Sequence, residues 1–135
     1  MIQQKTIKIA LASGEIKEFV FSMSKSEPYF LEVEGYELRK LHAHGEDLFD
    51  CLVNLRSDLD KEGVRILCNG ARLDTYPSAM SREMSGGKKV YLLRKGEPAN
   101  PKDLVNTFDE APIEKIASVV DQRENYLEWI KSCKR

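Results

Sequence analysis

The sequence predicts an α+β domain: a mainly antiparallel sheet of about five strands with an N-terminal hairpin, two long helices packed on it and one or two short helices. Two patterns lead to this prediction. Apolar and polar residues alternate over the first third of the chain, and apolar residues recur at helical spacing in the middle and at the end. Because the strands come first as a hairpin and do not alternate with helices, a doubly wound parallel sheet is disfavoured.

The predicted hairpin occupies the N-terminus. Two alternating segments, residues 5–12 and 15–23, flank the turn signal Ser13-Gly14. Side chains two residues apart in a strand lie on the same face, so each segment has one apolar face. The apolar positions are Ile7, Ile9 and Leu11 in the first segment and Phe19, Phe21 and Met23 in the second.

Three further strands are predicted. The first covers residues 29–33, and we expect it to continue through residues 36–41 past a bulge at Gly35. The other two cover residues 64–68 and 88–94. A loop and a short helix separate these last two strands, so the pattern leaves their relative direction open.

The first long helix follows Glu46. Leucines at spacings of four, three and four define one helix face, which Phe49 widens. We expect Glu46 and Asp47 in the first turn, where the helix dipole favours acidic residues, and Gly63 as the stop signal. The leucines are Leu48, Leu52, Leu55 and Leu59.

Proline or a capping residue marks the start of each remaining helix. Pro77 opens a short helix on which Met80 and Met84 are expected to pack inwards. Asn100 caps a second short helix that carries Leu104, Val105 and Phe108. Pro112 opens the last long helix, whose apolar face is Ile113, Ile116, Val120, Leu127 and Ile130.

Length and cysteine usage indicate one domain over residues 1–135, in a reducing compartment. No internal repeat or long linker divides the chain. The N-terminus lacks the apolar segment of a signal peptide, and no run approaches the roughly 18 apolar residues of a membrane span. The three cysteines have no Cys-x-x-Cys spacing, so we expect ordinary reduced residues of a cytosolic protein without membrane contact.

Charge is balanced overall but divided along the chain. The chain has 21 basic and 22 acidic residues, which disfavours a nucleic-acid binder with a uniformly basic surface. Residues 27–62 hold ten acids and four bases, a net charge of −6, whereas residues 63–102 hold eight bases and three acids, a net charge of +5. The two blocks either attract each other within the domain or present a surface for recognition of a partner.

The loop over residues 68–84 concentrates polar side chains after a predicted buried strand, where functional residues are often presented. Two arginines could hold a carboxylate or a phosphate, with backbone N–H groups of a helix start beside them. The alternative is structural, with Arg72 paired to Asp74 and Tyr76 packed over a strand. The candidate residues are Asn69, Arg72, Tyr76, Ser78 and Arg82.

No catalytic or metal site is predicted. Ser78 or Ser81 would need a base, and the only histidines are His42 and His44, without a nucleophile elbow. The pair His42-Ala-His44 would present both rings on one side of a strand near Glu46, but solvated loop histidines are favoured over metal ligands. We therefore expect no cofactor, no metal and no catalytic residue.

Three spaced motifs resemble a family of small uncharacterised bacterial proteins. They are Cys68-Asn-Gly-Ala-Arg72, the pattern Tyr76-Pro-Ser78-x-Met80-x-Arg82-x-Met84-x-x-Gly87-x-Lys89-x-Tyr91, and Asp103-Leu-Val105-x-x-Phe108-Asp109. The resemblance covers about residues 46–130. Small, charged, single-domain bacterial proteins of this type include immunity proteins that neutralise toxins. This analogy implies a binding role and identifies no catalytic residue.

Two functions are therefore expected. The first is a cytosolic, non-enzymatic protein-binding domain, most concretely an immunity-type inhibitor of a bacterial toxin. It would bind through the acidic surface of residues 32–62, with Tyr36 as anchor and Glu46 and Asp47 as charged contacts. The alternative is an enzyme-like domain that binds a small ligand or phosphate with loop 68–84. Nucleic-acid binding by residues 63–102 is disfavoured because that block lacks regularly interleaved aromatic residues.

Overall fold

A computed structural model describes residues 1–37 and 39–134 of the chain, which fold into two antiparallel sheets and three α-helices. The α+β class and the antiparallel five-stranded sheet are confirmed. The first sheet contains β1 (Ile2–Ala10), β2 (Ile16–Ser24), β3 (Tyr29–Tyr36), β4 (Arg39–Gly45) and β5 (Arg65–Ile66) in the order β4-β3-β2-β1-β5. The second contains β6 (Thr75–Tyr76), β7 (Lys89–Leu92) and β8 (Leu104–Asn106) in that order. The helices are α1 (Leu48–Asp60), α2 (Ala79–Ser85) and α3 (Val119–Ser132).

The N-terminal hairpin has the predicted form. β1 and β2 pair from Ile2 opposite Ser24 to Ala10 opposite Ile16, without a register shift. One face of the curled sheet packs against α1 and forms the main core, because strand alternation brings the apolar positions to the same side. Its members from the hairpin are Ile7, Ile9, Phe21 and Met23, all buried.

Two predictions about the sheets are wrong. β7 does not join the five-stranded sheet but pairs with β6 and β8. Residues 64–68 and 88–94 therefore belong to different sheets, and their relative direction does not affect strand pairing. The fifth strand is instead β4, which folds back on β3 with Tyr36 opposite Arg39. The chain reverses at Glu37, which has a φ of 49°, where we had expected one strand to continue past a bulge. Leu38 lies outside the described residues.

The N-terminus of α1 is fixed by side chains and by a distant loop. Asp47 is the N-cap, and its Oδ1 accepts the N–H of Asp50 at 2.7 Å. Leu48 donates its N–H to the carbonyl of Gly86 at 2.8 Å, which satisfies another of the free donors of the first turn. The expectation that Glu46 and Asp47 lie inside the first turn is therefore wrong by one to two residues, since a cap precedes the helix. The predicted leucine face of α1 is buried.

The remaining helices are shorter than predicted. Residues 101–103 form a single 3₁₀ turn capped by Asn100, and Leu104 and Val105 then belong to β8. Residues 113–115 form another 3₁₀ turn, so the last helix begins only after its cap Ser118. In both segments a proline lies at the start of a three-residue 3₁₀ turn, and this turn does not continue into a longer helix.

The apolar faces predicted for α2 and α3 are largely exposed. Met80 and Met84 are 69% and 82% exposed, although we expected them to pack inwards. Val120 is 65% exposed on α3. The residue that α3 buries is Gln122, at 1% exposure, because a buried arginine on α1 needs its side-chain oxygen.

That arginine, Arg56, forms a buried polar network with Gln122. Its Nη1 donates to Gln122 Oε1 at 2.7 Å and to the Gly70 carbonyl at 3.3 Å, and its Nη2 donates to the Ala117 carbonyl at 2.9 Å. Gln122 Nε2 in turn donates to the carbonyls of Gly70 at 2.8 Å and Arg72 at 2.9 Å. Burial lowers the pKa of Arg56, and these oxygens compensate for its lost hydration.

We predict that Gln122→Ala lowers the free energy of unfolding by about 2–3 kcal/mol, because it removes one acceptor from the buried Arg56 guanidinium and the amide donor from the carbonyls of Arg72 and Thr75. Urea unfolding measures the loss. Glu124→Ala changes an exposed residue of the same helix and should cost under about 0.5 kcal/mol. Equal losses in the two variants would contradict this role of the network.

Gly87 offers a second test, because its φ is +79° and a Cβ there would lie 2.6 Å from the backbone nitrogen of Phe49. Gly87→Ala should therefore cost about 3 kcal/mol or more through combined strain and overlap. Gly96→Ala is the matched control, since Gly96 has a φ of +81° but no atom within 4 Å of the added Cβ. It should cost only about 1 kcal/mol in the same thermal or urea unfolding measurement. A control loss as large as that of Gly87→Ala would refute the close packing at α1.

Candidate functional site

The two arginines of loop 68–84 do not form a common anion site. Arg72 is held by Asp74, with Nε to Oδ1 at 2.7 Å and Nη2 to Oδ2 at 2.9 Å. This hydrogen bonding raises the pKa of Arg72. Burial acts to raise the pKa of Asp74, but the Arg72 guanidinium outweighs it and lowers that pKa overall. Arg82 is engaged by a different acid, Asp47, at 3.1 Å.

Asn69 and Ser78 have structural partners. Asn69 Nδ2 donates to the carbonyl of Asn106 at 3.0 Å, which ties the loop after β5 to the end of β8. Ser78 is the N-cap of α2, and its Oγ accepts the N–H of Ser81 at 3.0 Å. Both side chains therefore use their polar atoms to fix backbone, as capping residues do.

Tyr76 lies inside an aromatic stack. Its ring, 8% exposed, is parallel to that of Tyr126 with centroids 4.0 Å apart, and edge-on to Phe49 at 5.2 Å. Its hydroxyl accepts a hydrogen bond from Arg123 Nη1 at 2.9 Å. The stack joins α1, β6 and α3, so Tyr76 contributes packing energy, as the structural alternative for this loop expects.

Tyr36 is also buried. Only 1% of the residue is exposed, and its ring packs edge-on against Phe19 with centroids 5.9 Å apart. Leu31 and Val33 are buried on the core face, and the register shift between Val33 and Tyr36 brings Tyr36 to that same face, where strict alternation would have placed Gly35. A surface anchor must be accessible, so the expectation that Tyr36 anchors a partner is corrected by its burial.

Glu46, Asp47 and Arg82 do meet at one concave surface. An open cleft of about 440 Å³ lies between the turn before β3, the start of α1 and the helix α2. We call it the acid cleft. Its lining residues are Glu27, Tyr29, Glu46, Asp47, Ala79, Arg82 and Glu83.

The acid cleft carries excess negative charge. Four carboxylates face one guanidinium, a net charge of −3. Asp47 is bound by Arg82, whose guanidinium carbon also lies 5.0 Å from the centre of the Phe49 ring. Among the described residues, Glu27, Glu46 and Glu83 make no salt bridge. These three carboxylates are therefore available to a cation from outside the chain.

Glu27 and Glu83 were not singled out from the sequence. Glu27 lies in a polar break and Glu83 on a short helix, and charge alone could not distinguish them from other solvated acids. The net charge of −6 over residues 27–62 was the one sequence feature that pointed to this surface, since that segment contains Glu27, Glu46 and Asp47. Glu83 lies within residues 63–102, which carry a net positive charge, so the charge pattern did not identify it as part of an acidic surface.

A second cleft, of about 240 Å³, is mainly basic and lies between the two sheets. Lys5 and Asp109 form an ion pair across it, and Asn106 Nδ2 donates to Asp109 at 3.0 Å. Hydrogen bonds from Lys5 and Asn106 lower the pKa of Asp109. The other charged residues that line this second cleft are Lys88 and Lys89. This lysine cleft was missed because its cations come from distant strands.

The two charge blocks attract each other only in part. Among the described residues, two ion pairs join residues 27–62 to residues 63–102: Arg82 with Asp47 at 3.1 Å and Arg65 with Asp60 at 3.5 Å. Other bases of the second block pair elsewhere, as Arg94 does with Asp103. Most acids of the first block therefore remain unneutralised by the second.

The described chain contains no cluster of three or more metal-ligand side chains, and none of its helices is long and apolar enough to cross a membrane. The histidines are not in a loop as expected but on β4. The three cysteines are unpaired with one another. Burial, with a smaller contribution from Asp50 and Asp47, raises the pKa of Cys51 to about 12. Burial likewise raises the pKa of Cys68 to about 11, so both remain thiols at neutral pH.

We therefore predict that iodoacetamide at pH 8 modifies only Cys133 in the folded protein, because the thiolate is the reactive form and burial disfavours it in the other two. Intact mass spectrometry should show one added group per chain. The same reaction in 6 M guanidinium chloride should add three. Modification of Cys51 or Cys68 at the rate of Cys133 would contradict their burial.

Comparison with known proteins adds no family assignment: no protein-family model matches the chain, and no significant match to a curated protein is found.

Proposed function

We propose that this protein is a non-enzymatic protein-binding domain whose partner inserts a basic side chain into the acid cleft. An immunity-type inhibitor of a bacterial toxin with a cationic active face is its most concrete form. The observation that carries the proposal is the set of three carboxylates, Glu27, Glu46 and Glu83, that share one concave surface and form no ion pair within the part of the chain that the structure describes. Opposite charge across an interface speeds encounter and selects the partner.

The surroundings of the cleft support a protein partner. Met80 and Met84 are exposed on α2, the helix that also carries Arg82 and Glu83. Methionine is flexible and polarisable, and it is often used on binding surfaces that adapt to a partner. Tyr29 adds an aromatic ring to the cleft wall. Charge with adjacent apolar surface is the usual composition of a specific interface.

Binding is favoured over catalysis by the state of the nucleophiles. Ser81 Oγ donates to the Ser78 carbonyl at 3.1 Å, and Ser78 Oγ serves as a helix cap. The thiols of Cys51 and Cys68 have raised pKa values. An activated nucleophile needs a base within hydrogen-bond reach or a lowered pKa, and these four groups have neither.

The alternative, an enzyme-like domain that binds a small anion through loop 68–84, has less support. Its two cations are already held by Asp74 and Asp47. An incoming phosphate would have to displace both carboxylates, which costs the energy of two established charge-assisted hydrogen-bonded pairs.

A deca-lysine peptide tests the charge of the cleft directly. We predict that the wild-type protein binds it and that Glu27→Gln/Glu46→Gln/Glu83→Gln weakens binding at least tenfold in isothermal titration calorimetry at 50 mM NaCl. Affinity should fall steeply between 50 and 300 mM NaCl because exposed charges are screened. The matched control, Glu18→Gln/Glu114→Gln/Glu124→Gln, removes three exposed carboxylates elsewhere and should retain most of the affinity. Equal weakening in both triple variants would refute a specific cleft.

The inhibitor form of the proposal is tested in cells. The product of a neighbouring gene that arrests growth should be neutralised by co-expression of the wild-type chain and of the control triple variant. The cleft triple variant should fail to restore growth at equal protein level. Full restoration by the cleft variant would contradict binding through the acid cleft.

A further inference from the structure

The outer face of the five-stranded sheet carries two converging histidines on its edge strand β4. The Nε2 atoms of His42 and His44 are 2.7 Å apart. Both residues are exposed on the face opposite the core, since Leu41 and Ala43 take the alternate positions. Neither histidine lines the acid cleft, although His44 lines an adjoining concave surface with Glu27 and Glu46. The pair is used neither by the core nor by the proposed function.

Neighbouring side chains orient the His42 ring. Its Nδ1 lies 3.0 Å from Glu32 Oε1, and the Phe30 ring is parallel to it within 5°. Glu32 also accepts from Lys40, with Nζ 3.3 Å from Oε2. A histidine whose Nδ1–H donates to a carboxylate presents its Nε2 lone pair outwards, which is the arrangement found behind most metal-bound histidines.

His44 supplies the second ring nitrogen that could bind a metal ion. With His42 Nε2 as acceptor, neutral His44 donates its Nε2–H across the 2.7 Å separation. When neutral His44 carries its proton on Nδ1 instead, neither Nε2 atom holds a proton. A metal ion bound by both nitrogens then replaces the hydrogen bond between them and lies off the line that joins them, with no net proton released from the neutral pair.

We propose that His42 and His44 form a bidentate site for a divalent first-row cation of tetragonal geometry, Cu²⁺ or Ni²⁺, with water in the remaining positions. At metal–nitrogen distances of about 2.0–2.1 Å, ligands at 90° lie about 2.9 Å apart and tetrahedral ligands about 3.3 Å apart. The observed separation of 2.7 Å is closer to the right-angled value. Imidazole is a preferred ligand of both ions, and copper binds tightest among the divalent series.

The pair supplies two protein ligands, in agreement with the absence of a cluster of three or more along the described chain. Glu32 is a positioning residue and not a ligand, because its oxygens are directed at His42 Nδ1 and Lys40. A closed four-ligand zinc site is therefore not what this surface offers.

Copper titration tests the proposal. Isothermal titration calorimetry at pH 7.5 should show one Cu²⁺ per chain, and electron paramagnetic resonance should show coupling to two imidazole nitrogens. His42→Gln and His44→Gln should each weaken binding at least tenfold, because each removes one arm of the chelate. Glu32→Ala should weaken binding about tenfold while keeping the two-nitrogen signal. Glu34→Ala, a neighbour on β3, is the control and should leave affinity unchanged.

The double variant His42→Gln/His44→Gln measures copper held elsewhere, by the N-terminal amine or by methionine sulfur. Because both histidines are exposed, its circular dichroism spectrum and melting temperature should match the wild type. Equal copper affinity in the wild type and the double variant would overturn the proposal, as would a spectrum with one nitrogen ligand.

Discussion

A buried cation that has no carboxylate partner among residues 1–37 and 39–134 constrains this fold. Arg56 is 3% exposed, and its guanidinium is satisfied by the Gln122 amide and by backbone carbonyls. Removing an ion from water costs several kcal/mol unless such partners are fixed in place, and arginine stays charged even when its pKa is lowered. α1, the loop after β5 and α3 must therefore keep one arrangement, since any separation would leave the charge without acceptors.

The second sheet and the acid cleft depend on that arrangement. Gln122 also binds the carbonyls of Arg72 and Thr75, which holds the chain as it enters β6. The following segment then reaches back to α1, where Arg82 binds Asp47 and the Gly86 carbonyl accepts the N–H of Leu48. The cleft is thus assembled from segments far apart in the chain. Asp47 and Arg82 pair within the cleft and stabilise the fold, while its three other carboxylates have no salt bridge to any described residue.

The parts of the fold that were predicted correctly are those with strong periodicity. The hairpin and the leucine face of α1 each bury a regular apolar set, so local pattern and tertiary packing agree. β6 has two residues and β8 has three, too few for alternation to distinguish a strand from a loop. The burial of Gln122 could not be predicted either, because it is dictated by an arginine on another helix and not by its own neighbours.

The lining of the acid cleft was anticipated only in part. The acidic block drew attention to Glu46 and Asp47, and the polar loop drew attention to Arg82; the structure brings these three residues to one cleft. For Arg72, the structural alternative with Asp74 as its partner is the one observed, whereas Tyr36, which was expected as a surface anchor, is buried in the core. Met80 and Met84 were assigned to the core because methionine is usually buried. Whether a polar side chain already has a hydrogen-bond partner depends on contacts between residues far apart in the chain. Local sequence patterns do not reveal those contacts.

In the proposed function, Asn69, Arg72, Tyr76 and Ser78 hold the fold, whereas Glu27, Glu46 and Glu83 in the acid cleft contact a partner at a cost in stability. Urea unfolding of the isolated protein tests it. Replacing Glu27, Glu46 and Glu83 together by glutamine should leave the free energy of unfolding unchanged or raise it by about 0.5–1 kcal/mol, since like charges in one cleft repel. A loss of more than about 1 kcal/mol would show that these carboxylates are structural and would contradict the account.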